Sequence, residues 1–173
     1  MDRPASTLVV AVFTAMLFAS ASSCAGRPQR GPPDTSGAAT ARVTRVTDGD
    51  TVHVLLAGRD ERIRFIGVDT PEVPWYGGQG QCFGVQAGLY TRSRLAGRVV
   101  RLSFDVGRRD RYGRMLAYVY LGDELVNLTL VRLGYARADP VPPDTRMEQV
   151  FAAAQDAARL ARRGLWSACP GRR

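Results

Sequence analysis

Two acids interrupt the alternating stretch VTDGDTVHV, which restricts the possible fold more than any other part of the chain. Val46, Val52 and Val54 have the same parity along the chain, and this alternation is typical of a strand with one buried face. Asp48 and Asp50 share that parity, so an unbroken strand would direct both carboxylates toward the core. Burying an unpaired carboxylate is costly unless a cation or strong donors compensate. The stretch therefore predicts a strand with a turn inside it and an acid that meets a partner.

Alternating and helical patterns follow one another along the rest of the chain. Strands are predicted at Val43–Leu56, which contains the Asp-Gly-Asp turn, and at Arg62–Asp69, Arg98–Val106 and Met115–Leu121. Helices are predicted at Cys82–Gly97, Leu125–Gly134 and Asp144–Gly164, the last with Thr145 and Glu148 at capping-box spacing. This order predicts an α+β, mainly β domain in which a small closed barrel carries packed helices.

The N-terminal residues are expected to lie outside that domain. Residues 1–23 combine Arg3, an apolar run and small residues, a pattern typical of a signal peptide. Cys24 stands where bacterial lipoproteins are lipidated, although Ala21 replaces the favoured leucine, and simple cleavage is the alternative. Residues 24–41 are rich in Gly, Pro, Ser and Thr and are expected to be a disordered tether. The domain is expected at 42–170, before a tail at 171–173, in an exported protein that is lipid-anchored or secreted.

Two further cysteines, Cys82 and Cys169, lie inside the expected domain. One disulfide suits an exported domain with two cysteines. The alternative is two separate thiols, because sequence alone does not place their backbones within bridging distance.

The domain is basic. From Ala41 onward 21 arginines stand against 14 acidic residues, a net charge of +7. Such a charge favours polyanions such as nucleic acid or anionic membranes. The chain contains no lysine, so coding bias toward arginine is an alternative source of the charge.

Three acids and two arginines are candidates for chemistry. Asp50 and Asp69 end strands and Glu72 follows in the Pro- and Gly-rich loop 70–81, and carboxylates with carbonyls and water suit Ca²⁺. Ordinary turn acids are the alternative interpretation. Arg64 and Arg114 are candidates for phosphate binding, since a guanidinium matches phosphate oxygens. The alternative for any single arginine is a solvated surface charge.

Five motifs in order resemble the staphylococcal nuclease (thermonuclease) family. They are VTDGDTVHV, RIRFIGVDTPE, DRYGRMLAYVY, LVNLTLVRLGYAR and GLW, and they span essentially all of Val43–Trp166. The resemblance implies a five-stranded OB-fold barrel with three helices, which is the element order that the patterns predict.

The resemblance also implies roles for the acids. Asp50 and Asp69 resemble Ca²⁺ ligands, and Thr70 resembles the residue that gives its backbone carbonyl to the metal. Glu72 resembles the general base, or the group that orients the attacking water. Asp48 is expected to form the turn or to lie behind the ligands rather than to bind the metal directly.

Further roles concern the substrate and one helix. Arg64 and Arg114 resemble the two phosphate-binding arginines of the family. Tyr112 resembles the tyrosine near the substrate's terminal phosphate, and Arg111 replaces a basic neighbour. Asn127 resembles a buried asparagine that ties a helix to neighbouring backbone.

The chain also departs from the family. The connector Ala138–Thr145 contains no aromatic residue, where the family has tyrosines that stack on a base. Trp75 and Tyr76 are possible substitutes, although packing of their loop is the favoured interpretation. His53 has the parity opposite to Val52 and Val54 and is assigned no role.

The resemblance implies a Ca²⁺-dependent endonuclease that cuts DNA and RNA on the 5′ side of phosphodiesters and leaves 3′-phosphates. A monomer is the default expectation. A second hypothesis is a non-catalytic OB-fold module that binds nucleic acid or protein. A third is a structural Ca²⁺-binding envelope lipoprotein. Retention of both arginines and all three acids favours the enzyme.

Overall fold

The computed structural model describes residues 37–75 and 78–169. Within these ranges the chain forms eight strands and four helices, in the order β1 (Ala39–Val46), β2 (Thr51–Leu56), β3 (Arg59–Phe65), β4 (Val68–Asp69), α1 (Gly84–Leu95), β5 (Val99–Ser103), β6 (Met115–Leu121), β7 (Glu124–Leu125), α2 (Val126–Arg132), β8 (Arg137–Ala138), α3 (Glu148–Leu160) and α4 (Leu165–Ala168).

Five of the strands close into a barrel. The strand order is β3-β2-β1-β5-β6 with antiparallel neighbours. Parallel pairing of β3 with β6 closes the circle, with Ile63 opposite Met115 and Phe65 opposite Ala117. The prediction of a mainly β fold with a five-stranded barrel is confirmed.

Period-two alternation forms the barrel core. On β2, Val52 and Val54 are completely buried, whereas His53 and Leu55 have the opposite parity and face outward. Ile63 on β3 is completely buried in the same core. Burial of one face is what the alternating valines predicted.

The strand limits differ slightly from the expected ones. β1 begins at Ala39, so residues 39–41, assigned to the tether from sequence, belong to a strand paired with β5. The predicted strand Val43–Leu56 is divided by the turn at residues 47–50 into β1 and β2.

The last long helix begins later than predicted. The connector forms successive turns, in which the Thr145 N–H donates to the Pro143 carbonyl and the Glu148 N–H donates to the Thr145 carbonyl. α3 starts at Glu148, and Met147 precedes it without a side-chain capping bond. The predicted capping box of Thr145 and Glu148 is therefore wrong, because the proline-rich connector continues one turn beyond Thr145.

Cys82 and Cys169 form a disulfide with 5.9 Å between their Cα atoms. It joins the segment before α1 to the end of α4. The structure therefore agrees with the expected disulfide and not with the alternative of two separate thiols.

Several expectations concern residues outside the described ranges. They are the signal peptide, Cys24, most of the tether, Tyr76 and the tail at 171–173. Among the helices at 37–75 and 78–169, none is long and apolar enough to cross a membrane.

Candidate active site

The Asp-Gly-Asp turn between β1 and β2 builds one wall of the site. The Asp48 carboxylate accepts a hydrogen bond of 3.0 Å from the Asp50 N–H, so Asp48 forms the turn as expected. Gly49 is required between them, because a Cβ there would lie 2.7 Å from the Thr70 side chain. The turn places Asp50 directly before β2, which begins at Thr51.

The Asp50 carboxylate is buried and has the compensating partners that the alternating stretch predicted. The residue is only 2% exposed, and its Oδ2 accepts hydrogen bonds from the Thr70 N–H at 2.6 Å and the Thr70 hydroxyl at 2.9 Å. Its Oδ1 accepts from the Thr51 hydroxyl at 3.1 Å and contacts the Arg64 guanidinium. Strong donors and a cation thus compensate the buried charge.

Arg64, near the end of β3, brings two carboxylates together. One guanidinium nitrogen, Nη1, contacts Asp50, and the other, Nη2, donates to Asp69 Oδ1 at 2.9 Å. Asp69 is held in place by the short pairing of β4 with β8, opposite Arg137. Two acids from different strands therefore converge on one positive group.

This donor set fits a hard divalent cation. Carboxylate oxygens of Asp50 and Asp69 meet at one cationic group, and Ca²⁺ takes such oxygens together with carbonyls and water. Over 37–75 and 78–169, no three acidic, histidine or cysteine side chains are arranged so that they alone could hold a metal ion. Backbone oxygen and water would have to complete the shell. Thr70 holds Asp50 through its N–H and hydroxyl, and its carbonyl stays a predicted ligand.

Glu72 lies beyond Asp69 with its side chain partly desolvated among charges. Burial raises the pKa of Glu72, and the negative charges of Asp48 and Asp69 raise it further. Arg64 and Arg114 lower the pKa of the same carboxyl, but not enough to cancel the rise. All four charged groups therefore lie close enough to the Glu72 carboxyl to influence its pKa.

Arg114 is held by an acid that the sequence analysis did not single out. Its Nε donates to Asp110 Oδ2 at 2.6 Å, and its N–H donates to Asp110 Oδ1 at 2.9 Å. Burial alone would raise the pKa of Asp110, but the hydrogen bonds and charge of Arg114 outweigh it, so that pKa is lowered. Gly113, at a φ of +77°, allows the tight turn between the two. The pattern Asp-Arg-Tyr-Gly-Arg is the signal that could have identified Asp110.

Tyr112 and Arg111 stand at the same turn. Tyr112 is 61% exposed, and its hydroxyl accepts a hydrogen bond of 2.6 Å from Arg111. The Arg114 guanidinium lies 5.4 Å from the centre of the Tyr112 ring.

The pocket beside these groups has a volume of about 480 Å³. Four arginines line it: Arg64, Arg109, Arg111 and Arg114. Its apolar lining includes Val141, Pro142 and Pro143 of the connector. The pocket thus joins strong anion-binding groups to an apolar wall without an aromatic ring from the connector.

Helix α1 supports both acidic segments, a role that the sequence analysis missed. The Thr91 hydroxyl donates to the Gly49 carbonyl at 2.6 Å. At Gly84 a Cβ would lie only 2.0 Å from the Glu72 carbonyl oxygen, and at Gly88 it would lie 2.7 Å from Trp75. The small residues at positions 84 and 88 were a signal of close backbone approach.

Trp75, Asn127 and His53 lie where the sequence predicted them. Trp75 packs on α1 next to Gly88, as loop packing required. Asn127 is buried, accepts from the Val119 N–H at 2.9 Å and donates to the Ile66 carbonyl at 2.9 Å. His53 lies outside the core, between Arg45 and Asp60, and does not reach the site.

Comparison with known proteins gives consistent matches. Residues 62–168 match the family described as staphylococcal nuclease homologue. The chain is 42% identical over 124 residues to a thermonuclease of Staphylococcus intermedius, covering 72% of this chain and 74% of that protein. It is 40% identical over 128 residues to a thermonuclease of Staphylococcus hyicus, covering 74% and 76%. It is also 35% identical over 125 residues to endonuclease YncB of Bacillus subtilis, covering 71% and 59%.

Proposed function

This chain belongs to the staphylococcal nuclease family, and we propose that it is a Ca²⁺-dependent endonuclease acting on both DNA and RNA. One observation carries the proposal. Arg64 and Arg114 line a single pocket, while Arg64 also contacts both predicted metal ligands, Asp50 and Asp69. Phosphate-binding and cation-binding groups therefore meet at one place.

The residues support hydrolysis by direct attack of water. The Glu72 carboxylate accepts a proton from the attacking water as the water oxygen bonds to phosphorus. Arg64 and Arg114 stabilise the added negative charge of five-coordinate phosphorus. The bond from phosphorus to the 5′ oxygen breaks in line with the attack, and that oxygen takes up a proton from solvent water. The products carry a 3′-phosphate and a 5′-hydroxyl.

Asp50 and Asp69, with the Thr70 carbonyl, would hold the Ca²⁺. When bound, the ion supplies Lewis-acid neutralisation of phosphate charge. The chain's own contribution is a rigid Asp50, which three hydrogen bonds from Thr70 and Thr51 orient.

The pocket supports weak sequence preference. Arg111 and Tyr112 lie beside Arg114 and are proposed to contact substrate phosphate. Contacts to phosphate carry no base information. The connector offers Val141 and two prolines to the pocket rather than an aromatic ring, so base stacking contributes little.

We also propose that the protein works as a monomer outside the cytoplasm, anchored at Cys24 or secreted. The disulfide between Cys82 and Cys169 supports an oxidising compartment. The apolar run before Cys24 supports export.

The test is hydrolysis of circular single-stranded DNA and of RNA by the purified protein, with Ca²⁺ and then with a chelator. Asp50→Asn is compared with Asp123→Asn, an exposed acid in the turn between β6 and β7. We expect Ca²⁺-dependent cleavage of the circle, 3′-phosphate ends, loss of cleavage in Asp50→Asn and normal cleavage in Asp123→Asn. Folded protein that binds the DNA without cutting it would instead establish a non-catalytic binding module.

A further inference from the structure

We propose that the disulfide between Cys82 and Cys169 is a positioning element for Glu72, so that the end of the chain controls the placement of the general base. The inference rests on the proposed function only for the role of Glu72. The segment concerned is called here the Glu72 strap and comprises residues 70–75.

The Glu72 strap is attached to residues beside Cys82. The Gln81 N–H donates to the Glu72 carbonyl at 2.9 Å, and the Glu72 N–H donates to the Gln81 side chain at 3.4 Å. Gly84 lies directly against the same Glu72 carbonyl. The Glu72 backbone is therefore contacted by a residue just before Cys82 in the sequence, Gln81, and by one just after it, Gly84.

The start of α1 has few other polar attachments. Phe83 precedes the helix in a left-handed conformation with a φ of 71°, and it provides no side-chain capping bond. The first turn of α1 contains no acidic residue. Phe83 also stacks on Tyr135, with ring centres 5.5 Å apart. The disulfide is the covalent constraint on this end of the helix.

The other half of the disulfide stands on a firmly packed segment. Leu165 of α4 is 2% exposed, and its N–H donates to the Gly134 carbonyl at 2.8 Å. Gly134 and Gly164 pack so closely that a Cβ on either would lie 2.3 Å from a backbone oxygen. Cys169 follows α4 directly, so it can hold Cys82 in place.

Breaking this link should therefore loosen the Glu72 strap while leaving the phosphate-binding side intact. Arg114 is fixed by Asp110 on a separate turn, and Asp50 is fixed by Thr70 and Thr51. We expect the turnover number to fall roughly tenfold to a hundredfold, the effect of small misplacements of catalytic groups. The KM should change less than about twofold, since a shift in kcat alone reports a group used in the transition state.

The experiment is a double-variant cycle on the full chain. Kinetic constants are measured with single-stranded DNA and Ca²⁺ for the Cys82→Ser/Cys169→Ser protein, with Glu72 present and in a Glu72→Ala background. If the disulfide acts through Glu72, its removal lowers kcat only when Glu72 is present. An equal loss in both backgrounds, or no loss, would overturn the proposal. Val100→Ala, a destabilising change in the barrel core, is the matched control and should have the same effect in both backgrounds.

A second readout does not depend on nuclease activity. Hydrogen exchange at the Gln81 amide should quicken more in the disulfide-free protein than exchange at Val54 in the barrel core, which reports the overall loss of stability. Unchanged exchange at Gln81 would refute the positioning role even if cleavage were lost. If the unmodified protein does not cleave DNA, the proposed function fails, and the exchange result still decides the positioning role. Should the serine variant not fold, reduction of the folded protein with a phosphine gives the same comparison.

Discussion

The Thr91 hydroxyl donates a 2.6 Å hydrogen bond to the carbonyl of Gly49. Both residues are buried, and the bond joins the middle of α1 to the turn that presents Asp48 and Asp50. The helix behind the site therefore controls where the first acidic turn lies.

Thr91→Val should destabilise the protein by about 1–3 kcal/mol, because it keeps the shape of the side chain but leaves a buried carbonyl unsatisfied. Urea unfolding measures the change. Thr91→Ser retains the hydroxyl and should recover most of the loss. Equal unfolding midpoints for the valine variant and the wild type would contradict the role of this bond.

Arg64→Ala and Arg114→Ala should each lower the cleavage rate by about 10²–10⁴-fold, since each removes charge stabilisation at the reacting phosphate. Circular dichroism should show a folded protein in both cases. Arg98→Ala removes an exposed arginine outside the pocket lining and should leave the rate nearly unchanged. Full activity in either first variant would remove that arginine from the catalytic set.

Asp110 should make stability depend on pH in the acidic range. Its folded-state pKa lies below the ordinary value of 3.8, so the ionised form stabilises the fold above the unfolded pKa. That contribution is lost as the pH falls through the folded pKa. The melting temperature of Asp110→Asn should lie below that of the wild type near neutral pH, and the gap should close on acidification. A gap that persisted at the acid end would contradict the ion pair with Arg114.

Gly84→Ala should lower activity, although alanine favours a helix over glycine by about 1 kcal/mol. The new Cβ would lie 2.0 Å from the Glu72 carbonyl oxygen, so the Glu72 strap must move. Ser93→Ala, at an exposed position of the same helix, is the control and should keep normal activity. The ratio of kcat values for the two variants measures the effect.

Val141→Tyr should tighten binding of single-stranded DNA. Val141 lines the pocket and is 58% exposed, and stacking of a base on an aromatic ring contributes about 1–3 kcal/mol. Fluorescence titration of an oligonucleotide in Ca²⁺, with Glu72→Ala added to every variant so that the DNA stays intact, would measure the gain. The control is Val150→Tyr at an exposed position of α3 outside the pocket lining. It should leave the affinity for the oligonucleotide unchanged. Equal affinities for both variants would argue that bases do not lie against the connector.

The local patterns of the sequence were sufficient to predict the main strands and to single out the buried acid, Asp50. Alternation of Val52 and Val54 determines which face of β2 is buried, because side chains alternate along any strand. The same periodicity placed Asp50 among buried positions and required a compensating partner. The five ordered motifs then identified the family, from which the roles of Glu72, Arg64 and Arg114 are inferred.

The side chains that surround Asp50 and line the pocket come together through contacts between segments distant in sequence. Closure of the barrel by β3 against β6 brings Arg64 into the pocket that Arg114 also lines, and no local pattern encodes that pairing. The capping box at Thr145 failed because the connector forms successive turns up to Met147, so α3 begins only at Glu148.

Local periodicity and the cost of desolvating a charge predicted the order of the main strands and helices, the buried face of β2 and the need for charge compensation at Asp50. They could not predict that Arg64 contacts both Asp50 and Asp69, that Asp110 holds Arg114, or that α1 supports both acidic segments. Those contacts require surfaces that exist only after the barrel has closed and the helix has packed.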